Sequence, residues 1–460
     1  MAEATYTNEL VALRKYFESG LTRSYAFRKE QLKNLKRAIL DHEDELYEAL
    51  HSDLKKNREE CWITELGMVI SEINAMMKNL RRWMEPERVP TNLLNLPSGS
   101  RVTREPLGIV LVIAPWNYPF QLLINPLVGA IAAGNCAVLK PSEFAPATDR
   151  VMKKMIEKAF PTDYILYAQG EGSTVIPAMM NEFRFDHVFY TGSTAVGRII
   201  YKMAAEKLVP VTLELGGKSP CVVERDANIT VAARRIAVTK FSNAGQMCVA
   251  PDYVLVHDSR KEELIAALQK ATRQFYSDRP YESDEYGKII NTKQFDRLTA
   301  YLPEGTIVQG GRRDRDKLYL EPTVLTNVSP DATIMKEEIF GPLLPVFGFT
   351  ETADAMTLIN RNPNPLAFYI FTSSKTKERE WLERVPAGGA CVNNTALHFT
   401  NHDLPFGGRG FSGMGSYHGK YSFEAFSHRK SILKTPTWLD PGIKYPPFKG
   451  RLNLLKWIIR

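Results

Sequence analysis

The sequence reads as an α/β protein made of two large layered domains and a small β element. Three observations predict this. Residues 107–114, Leu-Gly-Ile-Val-Leu-Val-Ile-Ala, form a continuous apolar run rich in β-branched residues, which suits a parallel strand buried on both faces. Strand-like and helix-like patterns alternate from there to about residue 206 and again beyond residue 253, the signature of βαβ units. At 460 residues, with 44% hydrophobic and 24% charged residues, the chain is too long for one small core and has the composition of a soluble α/β protein.

Charge and cysteine usage narrow the function classes. The net charge of +7 is spread along the chain with acids between the bases, and no homeodomain, finger or RRM pattern occurs, so nucleic acid is not expected as a partner. The five cysteines (Cys61, Cys136, Cys221, Cys248 and Cys391) are widely spaced, without CxxC or Cys/His pairs. This argues against a disulfide framework or a zinc site and for reduced thiols in a cytoplasmic compartment. Charges throughout residues 1–17 exclude an ordinary secretory signal, and no apolar run is long enough to span a bilayer.

From residue 5 to about 84 the apolar residues recur at helical spacing, with a second helix opening at Thr22-Arg23-Ser24 and a third at Glu59 after a break at Asp53. This segment is expected to be a helical layer without a site of its own. Pro86, Pro90 and Pro97 interrupt it before an alternating stretch at 101–104, an exposed ribbon that must pair with another subunit or with the late chain. The strand 107–114 is stopped by Pro115-Trp116-Asn117-Tyr118-Pro119, and ligands of open α/β sheets lie beyond such strand ends. A helix (122–133), a strand (136–139) stopped by Lys140-Pro141-Ser142-Glu143, a helix (147–159), a strand (164–166), a helix (175–181) and a strand (187–190) follow. The last strand meets Thr191-Gly192-Ser193-Thr194-Ala195-Val196-Gly197 and a helix from about 197 to 206. This turn lacks G-x-G-x-x-G, yet glycine and serine at a helix N-terminus offer free N–H groups and the positive dipole end to a phosphate.

The stretch 211–249 holds a carboxylate and a thiol. Glu214 ends the apolar run 211–213 before Gly216-Gly217, which places it at a strand end facing a cleft. A helix (229–241) and the loop Asn243-Ala244-Gly245-Gln246 lead to Cys248, 34 residues later. A lone cysteine is usually a small core residue, but a small, polar, glycine-containing loop brings backbone N–H groups close to a ligand. Beyond it, strands at 253–256, 307–311, 320–325, 345–349, 367–371 and 389–393 and helices at 261–276, 295–301 and 354–361 compose the second domain. Glu338 and Phe340 precede a Gly-Pro break, and the glycine-rich segment 404–417 is expected to be a surface excursion. In the final segment, Leu452, Leu455 and Ile459 share one helical face with Trp457 beside it and basic residues among them.

Glu-Leu-Gly-Gly-Lys-Ser-Pro at 214–220 and Gly-Gln-Met-Cys at 245–248 resemble the glutamate and cysteine signatures of the aldehyde dehydrogenases. Val249-Ala250-Pro251-Asp252-Tyr253, the short N-terminus and the late Gly-Met-Gly-Ser-Tyr-His-Gly resemble the class 3 branch, and the likeness runs from about residue 13 to 447. The resemblance implies a discontinuous Rossmann-like NAD(P)-binding domain (1–84 and 106–210) and a catalytic α/β domain (211–400). It also implies an oligomerisation ribbon and arm (85–105 and 421–440) that makes a homodimer, and a basic amphipathic tail (441–460).

The implied activity is oxidation of aliphatic medium- or long-chain and aromatic aldehydes to carboxylic acids through a cysteine thiohemiacetal and a thioester. Cys248 would be the nucleophile, Asn117 an oxyanion donor and Glu214 the base that activates water. Trp116, Lys140, Glu143, Gly192, Ser193, Gly197, Glu338 and Phe340 would hold the cofactor, and Tyr118 and Phe406 would line the substrate pocket. No metal is needed. NAD is expected, because a ribose-binding carboxylate repels the extra phosphate of NADP, although Lys140 beside it leaves NADP open. Pro126 stands where many relatives have a lysine, so no lysine supports the site from there. Two other readings are a CoA-acylating dehydrogenase and a catalytically silent binding protein; the presence of Glu214 and Cys248 argues against both. The tail either packs on the dimer or lies through residues 448–460 in a membrane interface.

Overall fold

The computed structural model describes residues 6–459; the last residue of the basic tail lies outside them. Two parallel-rich sheets dominate. The first has six strands in the order Gly413–Met414, Val211–Glu214, His187–Thr191, Ile109–Ile113, Cys136–Lys140 and Ile165–Tyr167, all parallel except the first. All five residues of Ile109–Ile113 are buried, as its unbroken apolar run requires. The chain fills the sheet outward from this strand in one direction, then crosses to His187–Thr191 on its other side. The carboxyl ends of these two neighbours carry Pro115-Trp116-Asn117 and Gly192-Ser193, so both loops sit at a topological switch point.

The helix Pro119–Ala133 leaves that switch point buried along its whole length. It is sandwiched between the sheet and the helices Tyr25–Asp41, Gly67–Met84 and Lys420–Ala425. A Cβ on Gly129 would stand 2.8 Å from Ser422 Cβ, so glycine sets that close crossing.

The second sheet has seven strands in the order Thr306–Gln309, Thr323–Thr326, Leu343–Phe349, Tyr253–His257, Pro220–Val223, Ala367–Phe371 and Gly389–Val392, with the first antiparallel to the rest. Residues 215–219 join the carboxyl end of Val211–Glu214 in the first sheet to the amino end of Pro220–Val223 in the second. The site therefore lies beyond the carboxyl ends of one sheet and the amino ends of the other. A third, antiparallel sheet joins Glu87–Val89 and Gly99–Pro106 to Ser427–Lys434, so the proline-rich ribbon does pair with the late chain.

Several expectations need correction. The N-terminal helix expected to run from residue 22 to 53 is broken at His42, whose φ of −116° and ψ of 16° separate Tyr25–Asp41 from Glu43–Leu54. The strand expected at 320–325 splits at Glu321-Pro322, where proline cannot donate to a ladder, into Tyr319–Leu320 and Thr323–Thr326. The helix after Gly192-Ser193 starts at Thr194, capped by Ser193 Oγ accepting from Val196 N, three residues before the expected start. Val211–Glu214, grouped with the second domain from sequence, is hydrogen-bonded into the first sheet beside His187–Thr191.

The glycine-rich segment 404–417 is only in part a surface excursion: Leu404 and Phe411 are exposed, but the segment also returns to the first sheet. Gly413–Met414 pairs antiparallel with Val211–Glu214, Phe406 bridges Tyr417, and both aromatic residues are buried. Glycine is needed because the backbones nearly touch: at φ +142° a Cβ on Gly413 would lie 2.1 Å from the Leu213 carbonyl oxygen. Gly413→Ala is therefore expected to destabilise the fold by about 1–3 kcal/mol and to open 404–417 to protease. A melting curve and limited proteolysis measure this; an unshifted midpoint with an intact segment contradicts it.

Candidate active site

A cavity of about 440 Å³ lies between the two sheets and gathers most of the residues singled out above. Trp116, Asn117, Gly192, Ser193, Glu214, Cys248, Glu338, Phe340 and Phe406 all line it. Asn117 comes from the loop after Ile109–Ile113, Glu214 from the end of its strand, and Cys248 from the loop before Tyr253–His257.

The Cys248 loop is held open by unusual backbone geometry. Asn243, Ala244 and Gly245 follow one another at φ 49°, 50° and 74°, in left-handed territory that non-glycine residues rarely occupy. Gln246 fixes the loop: its Nε2 donates to the carbonyls of Asn243 (2.9 Å) and Lys288 (3.0 Å), and its Oε1 accepts from Ile290 N (3.0 Å). Asn117 is tied to the same loop, with Nδ2 donating to the Gln246 carbonyl at 3.0 Å and its own carbonyl accepting from Asn243 Nδ2 at 2.8 Å. One Nδ2 proton is thereby spent and the second is free to meet a ligand oxygen.

Electrostatics favour neutral forms here. Burial is the main cause that pushes the Cys248 thiol up to about 12, and the charges of Glu338 and Glu214 add to it, while the Cys248 and Val249 backbone N–H groups oppose it. Glu214 is 3% exposed and neither carboxyl oxygen has a hydrogen-bond partner among the described residues, so burial raises its affinity for a proton well above the usual carboxylate range. A carboxyl so raised can take a proton from a reacting group.

Half-buried Glu338 is likewise raised by burial and by the Asp252 charge. It lies over Gly216, where a Cβ would stand 1.7 Å from its Oε2, and the Gly217 backbone N–H lowers its proton affinity. Its turn is braced from behind by Lys218, whose Nζ donates to Asp252 Oδ2 at 2.6 Å and to the carbonyls of Ile334 (2.7 Å) and Glu337 (2.9 Å). Phe340, at φ 50°, meets the Trp116 ring edge-on at 5.4 Å.

The residues present fit a dinucleotide. The N-terminus of Thr194–Glu206 opens into the cavity through Gly192, Ser193, Thr194 and Ala195, presenting N–H groups and dipole to a pyrophosphate. Gly197 does not line the cavity; a Cβ there would come 2.6 Å from Leu215 Cδ2, so it lets this helix pack close. Lys140 and Glu143 also stand outside the cavity lining, at the end of the neighbouring strand. Lys140 is 2% exposed and donates to the Pro141 carbonyl and, at 3.4 Å, to Glu143 Oε2, while Glu143 Oε1 accepts from Gly172 N at 3.0 Å.

Tyr118, expected beside the substrate, is buried and does not line the cavity; its ring lies 3.8 Å from Lys56 Nζ, and it feels the Cys248 charge. It stands at the N-cap position of Pro119–Ala133. Leu122, Leu366 and Tyr417 instead complete the apolar wall around Phe406. These were not read from sequence, nor were Gln294 and Arg297, which reach the cavity from the amphipathic helix Thr292–Thr299. A pair three residues apart on a helix carries no signal of its own, whereas the buried Lys218 was foreshadowed by its place after Gly216-Gly217.

A cavity that joins a thiol, an amide donor, a buried carboxyl and a phosphate-binding helix end defines a dinucleotide-dependent enzyme acting on an electrophilic carbon. The family whose model is described as the aldehyde dehydrogenase family matches residues 10–432, and the chain belongs to it. It is 46% identical over 446 residues to 4,4'-diaponeurosporen-aldehyde dehydrogenase of Staphylococcus aureus, covering 96% of both chains. It is 43% identical over 462 residues to aldehyde dehydrogenase family 3 member H1 of Arabidopsis thaliana, covering 99% of this chain and 95% of the relative. The solved structure described as the substrate-bound state of Staphylococcus aureus AldH superposes with a TM-score of 0.95 at 44% identity, covering 98% of this chain and 99% of that one. The class 3 resemblance and the aldehyde dehydrogenase fold are thus borne out, and the protein is an oxidoreductase that oxidises aldehydes with NAD(P).

Gly216→Ala tests the packing of Glu338. The atom in the way is the end of a flexible side chain, so the protein should fold normally while Glu338 swings aside. Its kcat/KM for the cofactor is expected to fall about tenfold or more; wild-type cofactor kinetics would contradict the placement.

Proposed function

We propose that Cys248 is the nucleophile, Asn117 and the Cys248 backbone N–H the oxyanion donors, and Glu214 the base of the hydrolytic step. The observation that carries this reading is their convergence in one cavity with the helix end at Gly192-Ser193. The Cys248 thiol is neutral at rest and gives its proton to solvent as it adds to the aldehyde carbon. The oxyanion of the resulting thiohemiacetal accepts a hydrogen bond from the free Asn117 Nδ2–H. Bound NAD(P) supplies the hydride acceptor. Glu338 and Phe340 would hold the nicotinamide end, and Trp116 backs Phe340. Glu214 then takes a proton from water as its oxygen attacks the Cys248 thioester, releasing the carboxylic acid and the thiol. A CoA-acylating course needs no base for water, so Glu214 favours hydrolysis.

NAD is the better fit than NADP. Lys140 is already occupied by Pro141 and Glu143, which supports a ribose hydroxyl at Glu143 over a phosphate at Lys140. The apolar wall of Leu122, Leu366, Phe406 and Tyr417 favours medium- or long-chain aliphatic and aromatic aldehydes. Free cysteines, none of them paired, support a cytoplasmic setting, and no helix among the described residues is long and apolar enough to cross a membrane. A homodimer is supported by Ser427–Lys434, a largely exposed edge strand whose outer hydrogen-bonding groups face no other strand among the described residues. The tail helix Leu452–Ile459 touches the ribbon turn Leu93–Asn95, yet Leu452, Trp457 and Ile459 stay 61%, 70% and 68% exposed, with Lys449, Arg451 and Lys456 nearby. A second subunit or a membrane interface would cover them.

Cys248→Ser should bind cofactor and fold normally while kcat falls by more than about a thousandfold; near-normal turnover would sink the assignment. Because Glu214 works ionised and its proton affinity is raised, turnover limited by hydrolysis should rise with pH through its titration and be lost as pH falls. Glu214→Gln should flatten that limb and lower kcat about a hundredfold or more, and an unchanged pH profile would contradict the role. For the surface, light scattering should give a dimer at micromolar concentration. Liposome co-sedimentation of the full chain against one ending at Pro447 decides the tail: equal partitioning removes the membrane interface and leaves the dimer to cover it.

A further inference from the structure

The helical layer in front of the first sheet was expected to be packing alone, but one stretch of it is built differently. After Asn57 caps a single α-helical turn at Arg58–Cys61, residues Trp62–Leu66 wind as a π turn, closed by the Gly67 N–H on the Trp62 carbonyl. A Cβ on Gly67 would lie 2.6 Å from that oxygen, so the wide turn needs glycine there. Winding by five residues brings Glu60 and Glu65 to the same side, where an α-helix would splay them apart; both feel Lys56, and Glu60 also feels Glu65.

All three side chains end on the catalytic loops. Lys56 Nζ, fully buried, donates to Glu65 Oε1 at 2.6 Å and to the Asn117 carbonyl at 3.1 Å. Glu65 Oε2 accepts from Gln121 N at 2.9 Å, in the first turn of Pro119–Ala133, where the helix dipole favours a carboxylate. Glu60 Oε1 accepts from Asn243 N at 3.0 Å, at the start of the left-handed run that leads to Cys248. Asn243 in turn donates to the same Asn117 carbonyl. A buried ion pair is a poor way to gain stability, since two apolar residues of similar volume serve as well or better. What this one has that an apolar pair lacks is direction: with Glu60 beside it, it pins the Asn117 carbonyl, the Gln121 N–H of the helix that follows and the Asn243 N–H of the Cys248 loop, and no shared sheet holds the Asn117 and Cys248 loops together.

We propose that Lys56, Glu60 and Glu65 form a positioning clamp that locks the Asn117 peptide against the Cys248 loop and keeps the free Asn117 amide proton aimed at the reacting oxygen. The clamp rests on the oxyanion role of Asn117 and deepens it. None of its three members touches the reacting atoms, so they act on the rate through Asn117 and not on aldehyde or cofactor binding. In mutational terms the clamp and Asn117 form one unit, whose losses do not add.

The test is a kinetic cycle of Lys56→Met/Glu65→Leu, which removes both members of the buried ion pair, against Asn117→Ala. Asn117→Ala alone is expected to lower kcat about a hundredfold. The clamp double variant should lower kcat about tenfold or more with aldehyde and cofactor KM within about twofold. In the Asn117→Ala background the same double variant should cost less than about twofold further. Glu60→Ala, at a half-buried position, repeats the cycle should the double variant not fold, with a smaller loss in the same pattern. Equal fold-losses in both backgrounds, or full activity in a folded clamp variant, would overturn the clamp and leave the site reading intact. Wild-type turnover in Asn117→Ala would instead overturn the oxyanion role and the clamp together.

Discussion

Removing the Glu214 carboxyl from water without giving it a partner is the constraint on which the rest of this structure turns. An unpaired buried carboxylate costs several kcal/mol as an ion, so the group survives there by holding its proton more tightly, as its raised proton affinity shows. That penalty becomes useful where a reaction needs a base near neutral pH. The surroundings enforce it: Val211–Glu214 is flanked by His187–Thr191 on one side and by the returning Gly413–Met414 on the other, which closes the sheet over the carboxyl. Tyr417 and Phe406 on the same return complete the apolar wall. The glycine-rich segment is thus the cover of the site, and its glycines are there because main chain lies against main chain.

A cavity between two sheets creates a second difficulty, since each sheet positions its own loops and nothing in the sheets sets one against the other. The protein solves this with polar groups. Gln246 and Asn117 cross-link the two loops in front, Lys218 and Asp252 brace the turn that bears Glu338, and Lys56, Glu60 and Glu65 reach in from the helical layer. Left-handed residues at Asn243, Ala244 and Phe340 occur where these braces act, as expected if backbone strain is held by surrounding contacts.

Much of this was legible in the sequence, for physical reasons that can be named. A strand buried on both faces must be unbroken and apolar, so Ile109–Ile113 and the residues that stop it stand out, and Asn117 with them. Glu214 before two glycines and Cys248 after a small polar loop mark strand ends and backbone approach in the same way. What escaped depended on register or on distant return. A π turn leaves no trace in a hydrophobic period, so Glu60 and Glu65 looked like ordinary helix surface. Tyr118 looked like a pocket residue because it adjoins Asn117, but it is buried behind the cavity lining. Phe406 was reached by resemblance, and its partner Tyr417 was missed, because a glycine-rich stretch reads as exposed when no partner strand is in view.

The account stands most directly on the covalent chemistry of Cys248 and its release by Glu214. The measurement is the mass of the Glu214→Gln protein mixed with NAD and a medium-chain aldehyde, with peptide mapping of any adduct. A burst of NADH near one per active site, together with the acyl group on Cys248, is the result expected. Steady turnover without an accumulated adduct, or an adduct on another residue, would contradict it.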